Sequence, residues 1–176
     1  MFSTEYIQQL KKLHGNPKKK KGFGGKLKEL GNFEKYLVQW NPVTMLDYGC
    51  GKGAILSHLQ TTYPQIKIEG YDPAVDMFST LSANKYDCIF SNDVLEHIEP
   101  NHIDAVLKHI NDIASKYIWL RIDTKPARKI LSDGRNAHLI VEDINWWTNI
   151  ITKHIQGNVV YKDQNDNMRI DFAIVK

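Results

Sequence analysis

Leu46-Asp47-Tyr48-Gly49-Cys50-Gly51-Lys52-Gly53 is the stretch from which the fold is read. An apolar strand-like run, Val43 to Tyr48, gives way to three alternating glycines, and a helical stretch through Tyr63 follows. Glycine permits the positive φ angles of a tight turn and lets the backbone approach a ligand closely. A GxGxG turn alone also serves plain strand–helix packing, so the acid before it matters. A carboxylate at Asp47 would repel a pyrophosphate but suits a ligand carrying an ammonium group. Asp72 ends the next strand-like run, Ile66 to Tyr71, 25 positions after Asp47. Doubly wound folds place a ribose-binding acid close to that spacing. Asp72 also reads as a turn cap before Pro73, but glycines and acid together point to a nucleoside site.

Outward from this core the pattern alternates. Tyr86–Ser91 and Tyr117–Ile122 read as further strands, and Ile103, Val106, Leu107, Ile110 and Ile113 have helical spacing between them. A helix over 142–155 precedes two strand-like runs, 158–162 and 168–175, joined by the turn-rich 163–167. Strands alternating with helices predict an α/β fold, a doubly wound, mainly parallel sheet with helices on both faces. The closing hairpin adds an antiparallel strand at one end. Upstream, residues 3–14 form a short helix with Ser3 or Thr4 as N-cap, and a second runs from about Asn32 to Trp40, closed by Pro42.

The chain has 176 residues and is 42% hydrophobic, which suits one domain and is too apolar for a disordered chain. No apolar run approaches the ~18–20 residues of a membrane span. Cys50 and Cys88 have no metal-ligand spacing, so no metal is expected and a reducing, cytoplasmic setting is the default. The net charge of +3 divides unevenly. Residues 1–30 hold eight lysines against Glu5 and Glu29, and the remainder holds 15 basic against 18 acidic groups. We therefore divide the chain into a Lys/Gly-rich arm or lid, 1–31, and a main domain, 32–176. Lys18–Lys21 could contact nucleic-acid phosphates, though solvated charge is the commoner outcome. The Gly22-Phe23-Gly24-Gly25 content suggests instead that 18–28 closes over the site as a lid.

Asp47-Tyr48-Gly49-Cys50-Gly51-Lys52-Gly53 resembles the first motif of the class I S-adenosylmethionine-dependent methyltransferases, whose fold is Rossmann-like. Asp72 falls at that family's ribose-binding acid. Tyr86 to Ile98, with Val94-Leu95-Glu96-His97 at its end, resembles the fourth-strand motif, and the likeness covers roughly residues 40–176. It implies S-adenosylmethionine as cofactor, and methyl transfer by in-line displacement to a small molecule or another acceptor that the sequence does not identify. Asp47 and the backbone of Gly49 and Gly51 would hold its methionine part, and Cys50 and Gly53 belong to the same cofactor-binding turn. Asp72 would take the ribose, and Asn92, Asp93 and Val94 would line the pocket towards the methyl group. Met77 or Phe78 could pack on adenine, but the 13 residues between Asp72 and Tyr86 barely fit the usual helix and third strand.

His138 is the first candidate for acceptor contact or proton acceptance, with Arg135 as its anion-binding partner; packing beside Leu139 and Ile140 is the competing reading. His97 is expected to brace its loop, Cys50 and Cys88 to pack, and Trp146-Trp147 to serve the core. A nicotinamide-dependent oxidoreductase is disfavoured because Ala54 stands where GxGxxG needs glycine. A non-catalytic S-adenosylmethionine-binding module is the remaining alternative.

Overall fold

Successive residues of a strand face opposite ways, and in this chain both sides of the sheet are apolar. The computed structural model describes residues 3–15, 30–82, 85–165 and 168–176. On one side Met45, Cys88, Phe90, Trp119 and Ala173 pack with Phe33, Leu37 and Trp40 of α2 (Phe33–Trp40) and Leu56 and Leu59 of α3 (Ala54–Thr62). On the other, Leu46, Ile89, Ile118, Leu120 and Phe172 meet Val106, Leu107 and Ile110 of α4 (Ile103–Ile113) and Trp147 and Ile151 of α5 (Ile144–His154). This is the doubly wound arrangement the alternation predicts, and Cys88 and Trp147 are core residues in it.

The strands are β1 (Thr44–Tyr48), β2 (Lys67–Tyr71), β3 (Tyr86–Asn92), β4 (Ala114–Asp123), β5 (Asn158–Gln164) and β6 (Arg169–Val175). They lie in the order β2-β1-β3-β4-β6-β5. The first four run parallel, while β6 is antiparallel to both β4 and β5. The closing hairpin thus contributes two strands, and the last one in sequence inserts between β4 and β5. Arg121 on β4 and Asp171 on β6 are cross-strand partners there. They form a buried two-point ion pair, Nε–Oδ1 and Nη2–Oδ2 both at 2.6 Å. Between β2 and β3 the described residues carry a single 3-10 turn, Asp76–Phe78, in place of a helix and strand.

Ser3, with extended φ/ψ, caps α1 (Thr4–His14) by accepting from the Tyr6 amide. The segment 18–28, expected as a lid, lies outside the described residues.

Candidate functional site

In an open parallel sheet, ligands bind beyond the carboxyl ends of the strands, where the strand order reverses. Here the chain goes from β1 to β2 on one side and then to β3 on the other. The turn after β1 and the end of β3 flank that point, and these are the segments that sequence motifs singled out.

The glycine turn is held from beneath. The amides of Gly49 and Cys50 both donate to the Tyr71 carbonyl, and the Gly53 amide donates to the Cys50 carbonyl. The Gly51 amide donates to Asp72 Oδ2 at 2.9 Å. Gly49 has φ +84, and a Cβ there would overlap both Val94 methyls. Only glycine satisfies both conditions. Val94 therefore seats the turn against the segment following β3. Cys50 is buried, and burial pushes its thiol well above the ordinary range.

Asp72 is both cap and candidate. Its Oδ1 accepts from the Ala74 amide at 2.9 Å, which is the turn-capping role, while Oδ2 takes the Gly51 amide. Each carboxylate oxygen has two lone pairs, so capping leaves acceptor capacity. Asp47 is 3% exposed, and its Oδ2 has no hydrogen-bond partner among the described residues. Burial, and then the Asp72 charge, push its carboxyl up to about 8. Across the switch point, both side-chain amide atoms of the buried Asn92 likewise lack partners among the described residues. Buried polar atoms are nearly always satisfied in folded proteins. Asp47 and Asn92 thus leave buried hydrogen-bonding capacity at the ends of the two strands that flank the switch point.

Two cavities open at this end of the sheet. One, of about 290 Å³, is lined by Lys52 of the turn, Ala74 to Met77, and Lys11, His14 and Gly15 of the N-terminal segment. Met77 is exposed, and Phe78 lies where a Gly53 Cβ would touch it. The other cavity, about 390 Å³, is lined by Asp93, Glu96, His97, Asp123, Lys125 to Lys129, His138 and Arg169. Asp93 has φ +54 and pairs with Arg169 at 3.6 Å.

His138 and His97 meet edge-on in this second cavity, ring centroids 4.7 Å apart. His97 braces its loop through Nδ1 and the Ala137 carbonyl at 2.6 Å. Arg135 is not brought to His138: its guanidinium pairs with Asp133 at 2.7 Å, and it is not among the residues lining the cavity. The basic residues there are Lys125, Arg128, Lys129 and Arg169. Trp146 packs edge-to-face on the buried Trp147.

The placement of α1 is what sequence reasoning missed. Tyr6, fully buried, donates its hydroxyl to the His97 carbonyl. Ser3 binds Glu99, Gln9 donates to Asp133, and Lys11 reaches Asp76. His14 Nε2 lies 3.9 Å from Asp72 Oδ2. The helix thus roofs the loops that follow β2, β3 and β4. A sequence signal existed in Tyr6, Gln9 and His14, one stripe of α1 that is buried, but nothing local says what that stripe meets.

A doubly wound sheet with unsatisfied buried polar side chains beside its switch point is the class this fold and site define. Residues 3–157 match the model of the methyltransferase-domain family, and the chain belongs to that family. No curated protein matches it in sequence. Among solved structures it is similar to a 1,6-didemethyltoxoflavin N1-methyltransferase of Burkholderia thailandensis holding that compound and S-adenosylhomocysteine, with TM-score 0.61, 11% identity, and 81% of this chain and 75% of that chain covered. It is also similar to the magnesium protoporphyrin IX methyltransferase of Synechocystis with bound S-adenosylhomocysteine, with TM-score 0.61, 13% identity, and coverages of 98% and 94%. A third is an O-methyltransferase family protein of B. thailandensis, with TM-score 0.60 and 13% identity; 83% of this chain is covered, but only about half (53%) of that longer one. At such identities the likeness is one of fold. No helix among the described residues is long and apolar enough to cross a membrane.

Proposed function

We propose that the chain transfers a methyl group from S-adenosylmethionine to a small-molecule acceptor. The observation that carries this reading is the partnerless Asp47 Oδ2 near the end of β1, beside the switch point that the unsatisfied Asn92 amide at the end of β3 also borders. An amino-acid moiety fits there. Its ammonium would favour the charged form of a carboxyl that burial otherwise holds protonated, and Asn92 offers both a donor and an acceptor. Four amides of the turn are engaged within the protein, so a pyrophosphate would find few N–H donors. That disfavours the nicotinamide alternative.

When bound, S-adenosylmethionine supplies an electrophilic methyl on a sulfonium. Asp72 would accept the ribose hydroxyls with its remaining lone pairs, and Asp93 and Val94 would border the reactive end. What the chain itself does is align the acceptor, and alignment is worth roughly 7–11 kcal/mol in well-oriented systems. We assign the acceptor to the 390 Å³ cavity. Its Lys125, Arg128, Lys129 and Arg169 favour an oxygen-rich or anionic compound, and they take the part expected of Arg135. His138 would serve the acceptor's site through Nε2, since Nδ1 faces the Lys125 carbonyl. Two of the similar folds are methyltransferases of 1,6-didemethyltoxoflavin and of magnesium protoporphyrin IX, which agrees with a small-molecule acceptor.

Calorimetry with S-adenosylmethionine, S-adenosylhomocysteine and NAD tests the cofactor. We expect both sulfur compounds to bind and NAD not to; binding of NAD alone overturns the proposal. Asp72→Ala should weaken cofactor affinity by roughly 1–3 kcal/mol, and unaltered affinity would show that the ribose lies elsewhere. Release of S-adenosylhomocysteine in the presence of candidate acceptors separates an enzyme from a binding module.

A further inference from the structure

Within the acceptor cavity, Glu96, His97 and His138 each place one ligand atom within 4.8 Å of the others. The three come from two segments: Glu96 and His97 from the turn after β3, and His138 from the long connection between β4 and α5. Backbone contacts fix both imidazoles. His97 Nδ1 is 2.6 Å from the Ala137 carbonyl, and His138 Nδ1 is 2.5 Å from the Lys125 carbonyl. A carbonyl oxygen can only accept, so in each ring Nδ1 carries a proton, and in the neutral imidazole Nε2 holds the lone pair. Histidines that bind metals are oriented in this way, the far nitrogen donating to a carbonyl or carboxylate. Glu96 is also oriented, its Oε1 accepting from the Asp123 amide at 3.3 Å. The Ile140 amide, donating to the Glu96 carbonyl at 3.0 Å, ties the two segments together.

We propose that Glu96, His97 and His138 form a binding site for a divalent transition-metal ion, facing the acceptor cavity. Two imidazoles and one carboxylate make a mixed donor set suited to zinc or manganese rather than calcium. Tetrahedral bonds of about 2.05 Å put ligand atoms about 3.4 Å apart. The separations here, at most 4.8 Å, exceed that by no more than about 1.4 Å, within reach of side-chain rotations, most readily at the half-exposed His138. Three protein ligands leave a coordination position open, as in catalytic zinc sites. An oxygen of the acceptor would occupy it, and the acceptor would thereby meet the ion rather than the His138 imidazole. That last assignment rests on the proposed methyl transfer; the ion site itself does not.

The test is equilibrium dialysis and calorimetry of the metal-free chain with Zn²⁺ and with Mn²⁺, with no cofactor present. We expect one equivalent bound to the wild-type protein, and at least tenfold weaker binding in His138→Gln and in Glu96→Gln. His58→Gln, on α3 and not among the residues lining the acceptor cavity, should match wild type. Circular dichroism of each variant checks folding, and His138→Gln is the variant least exposed to a folding defect. Absence of binding at millimolar metal overturns the proposal, as does a bound equivalent that survives both substitutions. Because the readout needs no S-adenosylmethionine, failure of the metal site and failure of the methyl-transfer reading are distinguishable.

Discussion

Asp47→Asn tests the central group of the site through stability as well as binding. In the unfolded chain this carboxyl titrates near 3.8, and in the fold burial and the Asp72 charge push it up to about 8. Between those values the folded state holds a proton that the unfolded state releases. The stabilisation from that difference is complete below pH 3.8 and is lost as pH rises through about 8. Each pH unit in the window is worth up to ~1.4 kcal/mol, so from pH 5 to pH 8 the wild-type protein should lose about 3–4 kcal/mol from this group. Water reaching the carboxylate would lower that figure, which is therefore an upper bound. The substituted carboxamide keeps the shape of the carboxyl and has no proton to lose. Urea unfolding of both proteins at pH 5, 6, 7 and 8, without cofactor, should show the wild-type curve falling relative to the variant's as pH rises. At pH 8, saturating S-adenosylmethionine should restore more stability to wild type than to Asp47→Asn, because only the carboxylate pairs with an ammonium. Parallel pH profiles would refute the reasoning, by showing that Asp47 is neither desolvated nor shifted.

Asp171→Ala should destabilise the fold by about 3–5 kcal/mol, since it leaves the Arg121 guanidinium buried without its two-point partner; a loss under ~1 kcal/mol in denaturant unfolding would contradict that. Tyr6→Phe removes the hydrogen bond between α1 and the His97 carbonyl. It should cost about 1–2 kcal/mol and speed hydrogen exchange within α1. Exchange unchanged from wild type would mean that α1 is held by its other contacts alone.

The order of elements was legible because its signal is local. Period-2 and period-3.6 apolar patterns are written within about 5–15 residues, and they place every strand and long helix to within a few positions. The glycine turn was legible for the same reason, as was the shortened stretch after Asp72, where the described residues carry one 3-10 turn in place of a helix and strand. Less could be read of the partners. Arg135 reads as an anion binder in isolation, yet Asp133, two residues away, engages it. Cys50, Gly51 and Gly53 read as ligand-binding backbone, yet amides of that turn are taken by Tyr71, Asp72 and Cys50 itself.

By itself, the sequence determined a doubly wound α/β domain with a glycine turn and two acids at its carboxyl edge, because hydrophobic period and turn chemistry act between near neighbours. Tertiary structure alone decided what those elements meet. Sheet order brings Asp47 and Asn92 to the two sides of one switch point and seats β6 between β4 and β5, which sets Arg121 against Asp171. Chain reversal carries α1 over the loops after β2, β3 and β4, and carries His138 to His97, 41 positions away in sequence. Such contacts depend on burying both faces of the sheet at once, and no short window of sequence contains that condition.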